Sequence, residues 1–213
     1  MVPEDQHKPA SGPSLGPVLV LSGSLRPASV TDAVGRHIAA DLARAGVETT
    51  LMTVRELNLP FYDPVTHATD PGPAAAFVAA ALAARAHVWV TPGYHRSVSG
   101  SFKNVLDFLE VAAKREPSYL TGKAVGMIAV AGGVPAAVSA LTAMEFTAHA
   151  LRAYVVPYTV PVPFAGQLLD EQGLIKNDGI KTRLDLLAKE IVAFLSNWND
   201  RVERPSVRHG PGG

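Results

Sequence analysis

Cysteine is missing from this 213-residue chain, and that gap excludes disulfides, thiolate nucleophiles, cysteine-ligated zinc and iron–sulfur clusters together. Redox chemistry, if any, must come from a bound cofactor, and the composition fits a reducing cytoplasm, the expected location. Net charge is missing too. Nineteen Lys and Arg balance nineteen Asp and Glu, which leaves no bulk field to draw DNA, RNA or an anionic membrane. No run of about twenty apolar residues is unbroken, so no membrane span is expected. The N-terminal Met-Val-Pro-Glu-Asp-Gln-His-Lys-Pro has no apolar core and does not read as a secretory signal. What the chain does have is 47% hydrophobic residues, enough for one full domain with a substantial core.

Residues 1–16 hold prolines, glycines and polar residues, and residues 200–213 are polar with Pro and Gly. They are expected to be a disordered leader and a flexible tail around a single domain at 17–199. Val18-Leu19-Val20-Leu21 reads as a buried parallel strand. A helix beginning at Ser29 or Thr31 carries Val34, Ile38 and Leu42 at helical spacing and stops at Gly46. Val47–Thr53 is a second strand nearer the sheet edge. Residues 54–73 form a long irregular excursion, of the kind that is often functional or touches a partner. A helix at Pro73–Arg85, a strand at His87–Thr91 and a helix from Ser101 to about Ala113 follow. Then come a strand at Ala124–Val130, a helix at Pro135–Leu151, a strand at Tyr154–Val160, an irregular Pro161–Leu174 and an amphipathic helix at Asn177–Trp198. Five alternations specify an α/β fold, a doubly wound five-stranded parallel sheet of order 2-1-3-4-5 with helices on both faces.

In that order, loops after the first, third and fourth strands emerge side by side at the switch point. The first, Ser22–Ser29, runs into a helix start, where unpaired amides and the helix dipole favour an anion. Hydroxyls at Ser24, Ser29 and Thr31 add hydrogen bonds, and Arg26 a charge-assisted one. It is neither a Walker loop nor a GxGxxG turn. Taken alone, it is equally an ordinary turn whose serines only cap the helix. The second, Thr91–Gly100, breaks from an apolar strand; Pro92 and Gly93 are read as a turn that lets a ligand approach, with Tyr94 and His95 offering flat sides and polar tips. Asn104 and Asp107 are read as tying this loop down. Ala131-Gly132-Gly133 ends the fourth strand and permits close contact with a planar group. A phosphate cradle beside a platform for a flat polar ring points to flavin mononucleotide.

Two stretches resemble the NADPH-dependent FMN reductase family, a flavodoxin-like branch: Gly23-Ser24-Leu25-Arg26-Pro27-Ala28-Ser29, and Pro92 to Asp107 with its Pro-x-Tyr-x-x-Ser-x-x-Gly-x-x-Lys-Asn-x-x-Asp pattern. The resemblance covers roughly residues 17–195. It implies that Ser24, Arg26, Ser29, Val30 and Thr31 bind the FMN phosphate, and that Pro92, Gly93, Tyr94, His95 and Arg96, with Ala131, Gly132 and Gly133, border the isoalloxazine. Thr31 stands where many relatives carry Asn. Gly93 replaces a bulkier residue, which predicts a loosely held ring. It also implies a reductase that passes hydride from NADPH or NADH to FMN without a protein acid or base, since the cofactor carries the chemistry. Reduced flavin would then serve a partner monooxygenase, or electrons would pass to a quinone, azo dye or metal oxyanion. The family's usual assembly is a homodimer or homotetramer, with 101–115 and 54–73 as the expected contact. The competing readings are a flavodoxin-type electron carrier, against which the zero net charge argues, and a nucleotide-binding module without chemistry.

Overall fold

The computed structural model describes residues 15–203. Most of the expected leader and tail, residues 1–14 and 204–213, lies outside the described residues. Five parallel strands, β1 (Val18–Ser22), β2 (Thr49–Thr53), β3 (Ala86–Tyr94), β4 (Ala124–Val130) and β5 (Tyr154–Val162), pair in the order β2-β1-β3-β4-β5. The flavodoxin-like sheet expected from the alternation is the one observed. Its helices are α1 (Val30–Arg44), α2 (Ala75–Ala83), α3 (Gly100–Asp107), α4 (Val134–Ala150) and α5 (Asp178–Glu203).

Because successive strand side chains point to opposite faces, each buried strand feeds two cores. Val18, Val20, Val88, Val90 and Ile128 pack with α1 and α5. Leu19, Leu21, Trp89 and Met127 pack on the other face with α2, α3 and α4. Trp89 and Phe102 meet edge to face at 5.9 Å. Gly126 in β4 admits α5 closely: a Cβ there would lie 3.0 Å from Leu187 Cδ1. The end of α1 is a Schellman motif, with the Gly46 amide bonding Ala43 O at 3.0 Å and the Val47 amide Leu42 O at 3.1 Å. Gly46 sits at φ +80°, a conformation that glycine adopts without Cβ strain.

Several boundaries differ from the sequence expectation. The excursion at 54–73 is not irregular throughout. Thr53 and Asp63 cap short helices at Val54–Leu57 and Pro64–His67, and Tyr62, His67 and Phe108 stack the segment onto the chain after α3. The helix expected at Pro73–Arg85 begins as a 3₁₀ turn and is regular only over Ala75–Ala83. The strand expected to end at Thr91 runs on to Tyr94, because Gly93 and Tyr94 pair antiparallel with Val98 and Ser97. β5 likewise continues through Pro161, which is in register with Ala129 of β4, to Val162, while its other proline, Pro157, lies where the register shifts between Val155 and Thr159. The last helix extends to Glu203, beyond Trp198.

His87, on β3, is fully buried, and its Nε2 has no hydrogen-bond partner. Burial, with help from the Lys123 ammonium and against a hydrogen bond to the Ala81 backbone, lowers its pKa to about 3. The unfolded chain takes up this proton near the ordinary value of 6.5, so between those limits the unfolded state binds the extra proton. Stability should therefore fall as pH drops below 6.5, by up to about 1.4 kcal/mol per pH unit from this group. Urea unfolding of the protein and of His87→Leu at pH 7 and pH 5 should show a shallower acid loss in the variant. Equal losses would remove His87 as the cause.

Candidate functional site

The chain leaves β1 at Ser22, and the Gly23 amide still bonds Val90 O of β3 at 2.7 Å. A Cβ on Gly23 would fall 2.8 Å from Phe102 Cβ, so the first loop is pressed against the start of α3. Its contacts with the second loop are direct. Ser99 Oγ donates to Gly23 O at 2.8 Å and accepts from the Phe102 amide at 3.2 Å, while Ser101 Oγ donates to the same carbonyl at 3.3 Å. The Ser99 amide donates to Thr91 Oγ1 at 3.3 Å. One serine thus caps α3 and joins the two loops.

Within the first loop, Ser24, Ser29 and Thr31 are buried and Arg26 is exposed. Ser24 Oγ accepts the Arg26 amide at 3.2 Å, and Ser29 Oγ, the N-cap of α1, accepts the Asp32 amide at 3.0 Å. Both hydroxyls spend an acceptor site on the backbone and keep a proton to donate. The amides of Val30 and Thr31, in the first turn of a 15-residue helix, have no helical carbonyl to reach. This end of α1 therefore offers hydroxyl and amide donors of the kind that favour an anion, beside the Asp32 carboxylate in its first turn. Arg55 Nη1 donates to Leu25 O at 2.9 Å and holds the loop from the far side.

The second loop corrects the sequence reading. Pro92 and Gly93 do not form the turn; they extend β3, with Pro92 in register with Val130. The turn is His95-Arg96, at φ 48° and 65°, between paired strands that end at Tyr94 and begin at Ser97. Two positive-φ residues in a two-residue hairpin match the type I′ geometry, usually met with Asn-Gly. Nor does Gly93 leave open space. A Cβ there would lie 3.0 Å from Ala136 O and 3.2 Å from Ala131 Cβ, so α4 fills the place of the missing side chain, and the loose-ring argument falls. Asn104 does not fasten this loop either. Its amide takes the Tyr62 N–H and donates to Pro60 O, both at 2.8 Å, and so anchors the 54–73 segment. Asp107 pairs with Lys103.

The third loop adjoins these two through Gly93. Ala131 is buried, and its amide bonds Val162 O at 3.0 Å. Gly132 is exposed with nothing within 4 Å of a notional Cβ, and Gly133 precedes α4 as its N-cap. Tyr94, His95 and Arg96 are exposed at the tip of the β3 hairpin. The predicted residues are thus gathered at the ends of β1, β3 and β4. Hollow size does not single the edge out. A cavity of about 440 Å³ lies there between Leu25, Phe61, Gly100 and Asn104, while others of about 480 and 760 Å³ lie along α1 and α5. The donor chemistry does.

Sequence reasoning missed Ser99 as the clamp and Asp32, which is buried and accepts a hydrogen bond from Ser22 Oγ. Both carried a signal: Ser29-x-x-Asp32 has the spacing of a capping box, and Ser99 directly precedes a helix start.

The sequence pattern of the NADPH-dependent FMN reductase family matches residues 17–167. An NADPH azoreductase of Bacillus sp. (strain OY1-2) is 28% identical over 188 residues, 86% of this chain and 94% of that protein. Among solved structures, FerB, a flavoenzyme NAD(P)H:(acceptor) oxidoreductase from Paracoccus denitrificans, superposes with a TM-score of 0.70 at 20% identity, covering 85% of this chain and 98% of FerB. The apo form of the NADH:FMN oxidoreductase EmoB gives 0.66 at 22% identity, over 91% and 94% of the two chains.

Replacing Gly93 with Val should cost about 1–3 kcal/mol of stability, because the new side chain meets a backbone carbonyl. Thermal or urea unfolding would measure it. An unchanged midpoint would restore the open space that the geometry denies.

Proposed function

The chain belongs to the NADPH-dependent FMN reductase family, and from that premise we propose that the edge formed by residues 22–31, 92–99 and 131–134 holds FMN. The observation that carries this is the pair of Ser99 and Ser101 hydroxyls on the Gly23 carbonyl, which bring a phosphate-type loop against a ring-type loop. The local chemistry fits the group: buried hydroxyl donors and free helix amides suit a phosphate, and the open side of Gly132 suits a flat ring.

In this reading Ser24, Ser29, Val30 and Thr31 bind the phosphate through hydroxyls and amides, with Arg26 adding charge from the exposed side. Backbone from Pro92 to Arg96 borders one side of the ring and Ala131–Gly133 another. The flavin supplies the redox step, acceptance of hydride from a reduced nicotinamide. The protein's own part is orientation and amide donors beside the electron-rich edge. In this reading no side chain is needed to move a proton in the hydride step. The acceptor we favour is a small oxidised molecule such as an azo compound, a reading supported by the Bacillus relative's activity. The apolar side chains of Phe61 and Val65, 89% and 91% exposed, support a homo-oligomer whose contact includes the 54–73 segment.

Anaerobic addition of NADPH to the FMN-loaded protein should bleach the flavin absorbance within the mixing experiment. A flavin that stays oxidised would support the carrier reading instead. Arg26→Ala should weaken FMN binding by about tenfold, the loss of one charge-assisted contact. Unfolding should be nearly unmoved, since exposed charges contribute little to stability. Equal FMN affinity in a fluorescence titration would return Arg26 to solvent.

A further inference from the structure

A cavity of about 760 Å³ lies between α1 and the strap joining β5 to α5, and the flavin reading gives it no role. Arg36 and His37 line it from α1, Asp170 and Lys176 from the strap, and Asp178 and Lys181 from the start of α5. The acids are already engaged. Asp170 Oδ1 accepts the amides of Gln172 at 3.0 Å and Leu174 at 2.8 Å, and Asp178 pairs with Lys181 at 2.9 Å. His37 stands 3.6 Å from Asp41. Among the described residues, Arg36 and Lys176 have no carboxylate within ion-pair distance. Three cations, Arg36, Lys176 and Lys181, thus face two carboxylates, Asp170 and Asp178, and the lining carries a net positive charge. Leu174, 64% exposed, gives it an apolar wall, and the volume falls in the range of small-molecule sites, about 300–1,000 Å³.

We propose that this cavity is a second nucleotide site, taking a phosphomonoester on Arg36 and Lys176 with the base against Leu174. A guanidinium binds phosphate bidentately and a lysine adds a point charge, while the first turn of α5 contributes a favourable dipole. The site is close to the flavin edge without being part of it. Ala33 in its wall is two residues beyond Thr31. The strap begins where the Ala165 amide bonds Ala131 O at 3.1 Å, and it closes where the Lys176 amide bonds Leu168 O at 3.0 Å. Two sources share the chemistry: the 2′-phosphate end of NADPH, which rests on the proposed function, and a free nucleotide, which does not.

The test titrates FMN-saturated protein with 2′,5′-ADP, 5′-AMP and inorganic phosphate by calorimetry, beside an R36A/K176A variant whose fold is checked by circular dichroism. Both side chains are exposed, so the variant should fold. Expected are nucleotide binding to the parent, a loss of about tenfold or more in the variant, and an unchanged FMN affinity. A rise in KM for NADPH but not NADH in the variant assigns the site to NADPH; tight 2′,5′-ADP or 5′-AMP binding with both KM values unmoved assigns it to a free nucleotide. Absence of nucleotide binding, binding of phosphate alone, equal binding in the variant, or a matching loss of FMN affinity would each overturn the proposal. Failure of the flavin reading would appear separately, as parent protein that NADPH does not bleach.

Discussion

The arrangement of the edge depends on one hydroxyl. Ser99 donates to the Gly23 carbonyl and accepts the Phe102 amide, so a helix cap and an inter-loop bond share an oxygen that is almost fully buried. A buried carbonyl left unpaired costs on the order of 1–3 kcal/mol, which ties the geometry of the first loop to correct formation of α3. The two glycines flanking this contact follow from it. Gly23 must pass Phe102 without a side chain, and Gly93 must pass Ala136. The loops are therefore not free segments that a ligand would have to gather. They are packed against one another by the same residues that start the neighbouring helices.

The sheet explains why this edge is available. β1, β3 and β4 are buried on both faces, and their side chains divide between two cores, so the strand ends are fixed from both sides. In a parallel sheet each helix returns antiparallel to its strands, which places the N-termini of α1, α3 and α4 at the C-terminal edge. Three helix dipoles then converge where the order of connections reverses, between β1 and β3. Negative charge is favoured there before any side chain is considered.

Much of this was legible in the residues. The apolar run Val18–Leu21 and the abrupt Ser22-Gly23 after it signalled a buried strand ending in a loop, and the repeated alternation of strand and helix signalled the sheet order. The gathering of Ser24, Ser29, Gly93 and Gly132 along one edge followed from that order alone. What stayed hidden was set by long-range packing. Nothing near Gly93 in the chain says that Ala136, over forty residues away, fills its side-chain space, and Pro92 in a strand runs against local preference. It is admitted because Pro92 lies at the end of the β3–β4 register. Asn104 was assigned to the wrong segment for the same reason: its partners, Pro60 and Tyr62, are close only after folding.

Backbone strain supplies an argument for function that composition could not. Among the described residues, the non-glycine positions with positive φ are Ala28, Asn58, His95, Arg96, Tyr119, Arg152 and Phe164. Ala28, Asn58, His95, Arg96 and Phe164 follow the C-terminal ends of strands, and only Tyr119 and Arg152 lie at the other end of the sheet. Each such residue costs roughly 1 kcal/mol or more against an ordinary conformation. Asn58 caps a short helix and Arg152 closes α4, so for those two the strain follows from ending a helix. His95-Arg96 has no such duty. A hairpin needing that geometry would be more stable with Asn-Gly, yet the chain places an exposed imidazole and guanidinium there. In the proposed flavin site, the contacts these two side chains make with the ligand offset that conformational cost.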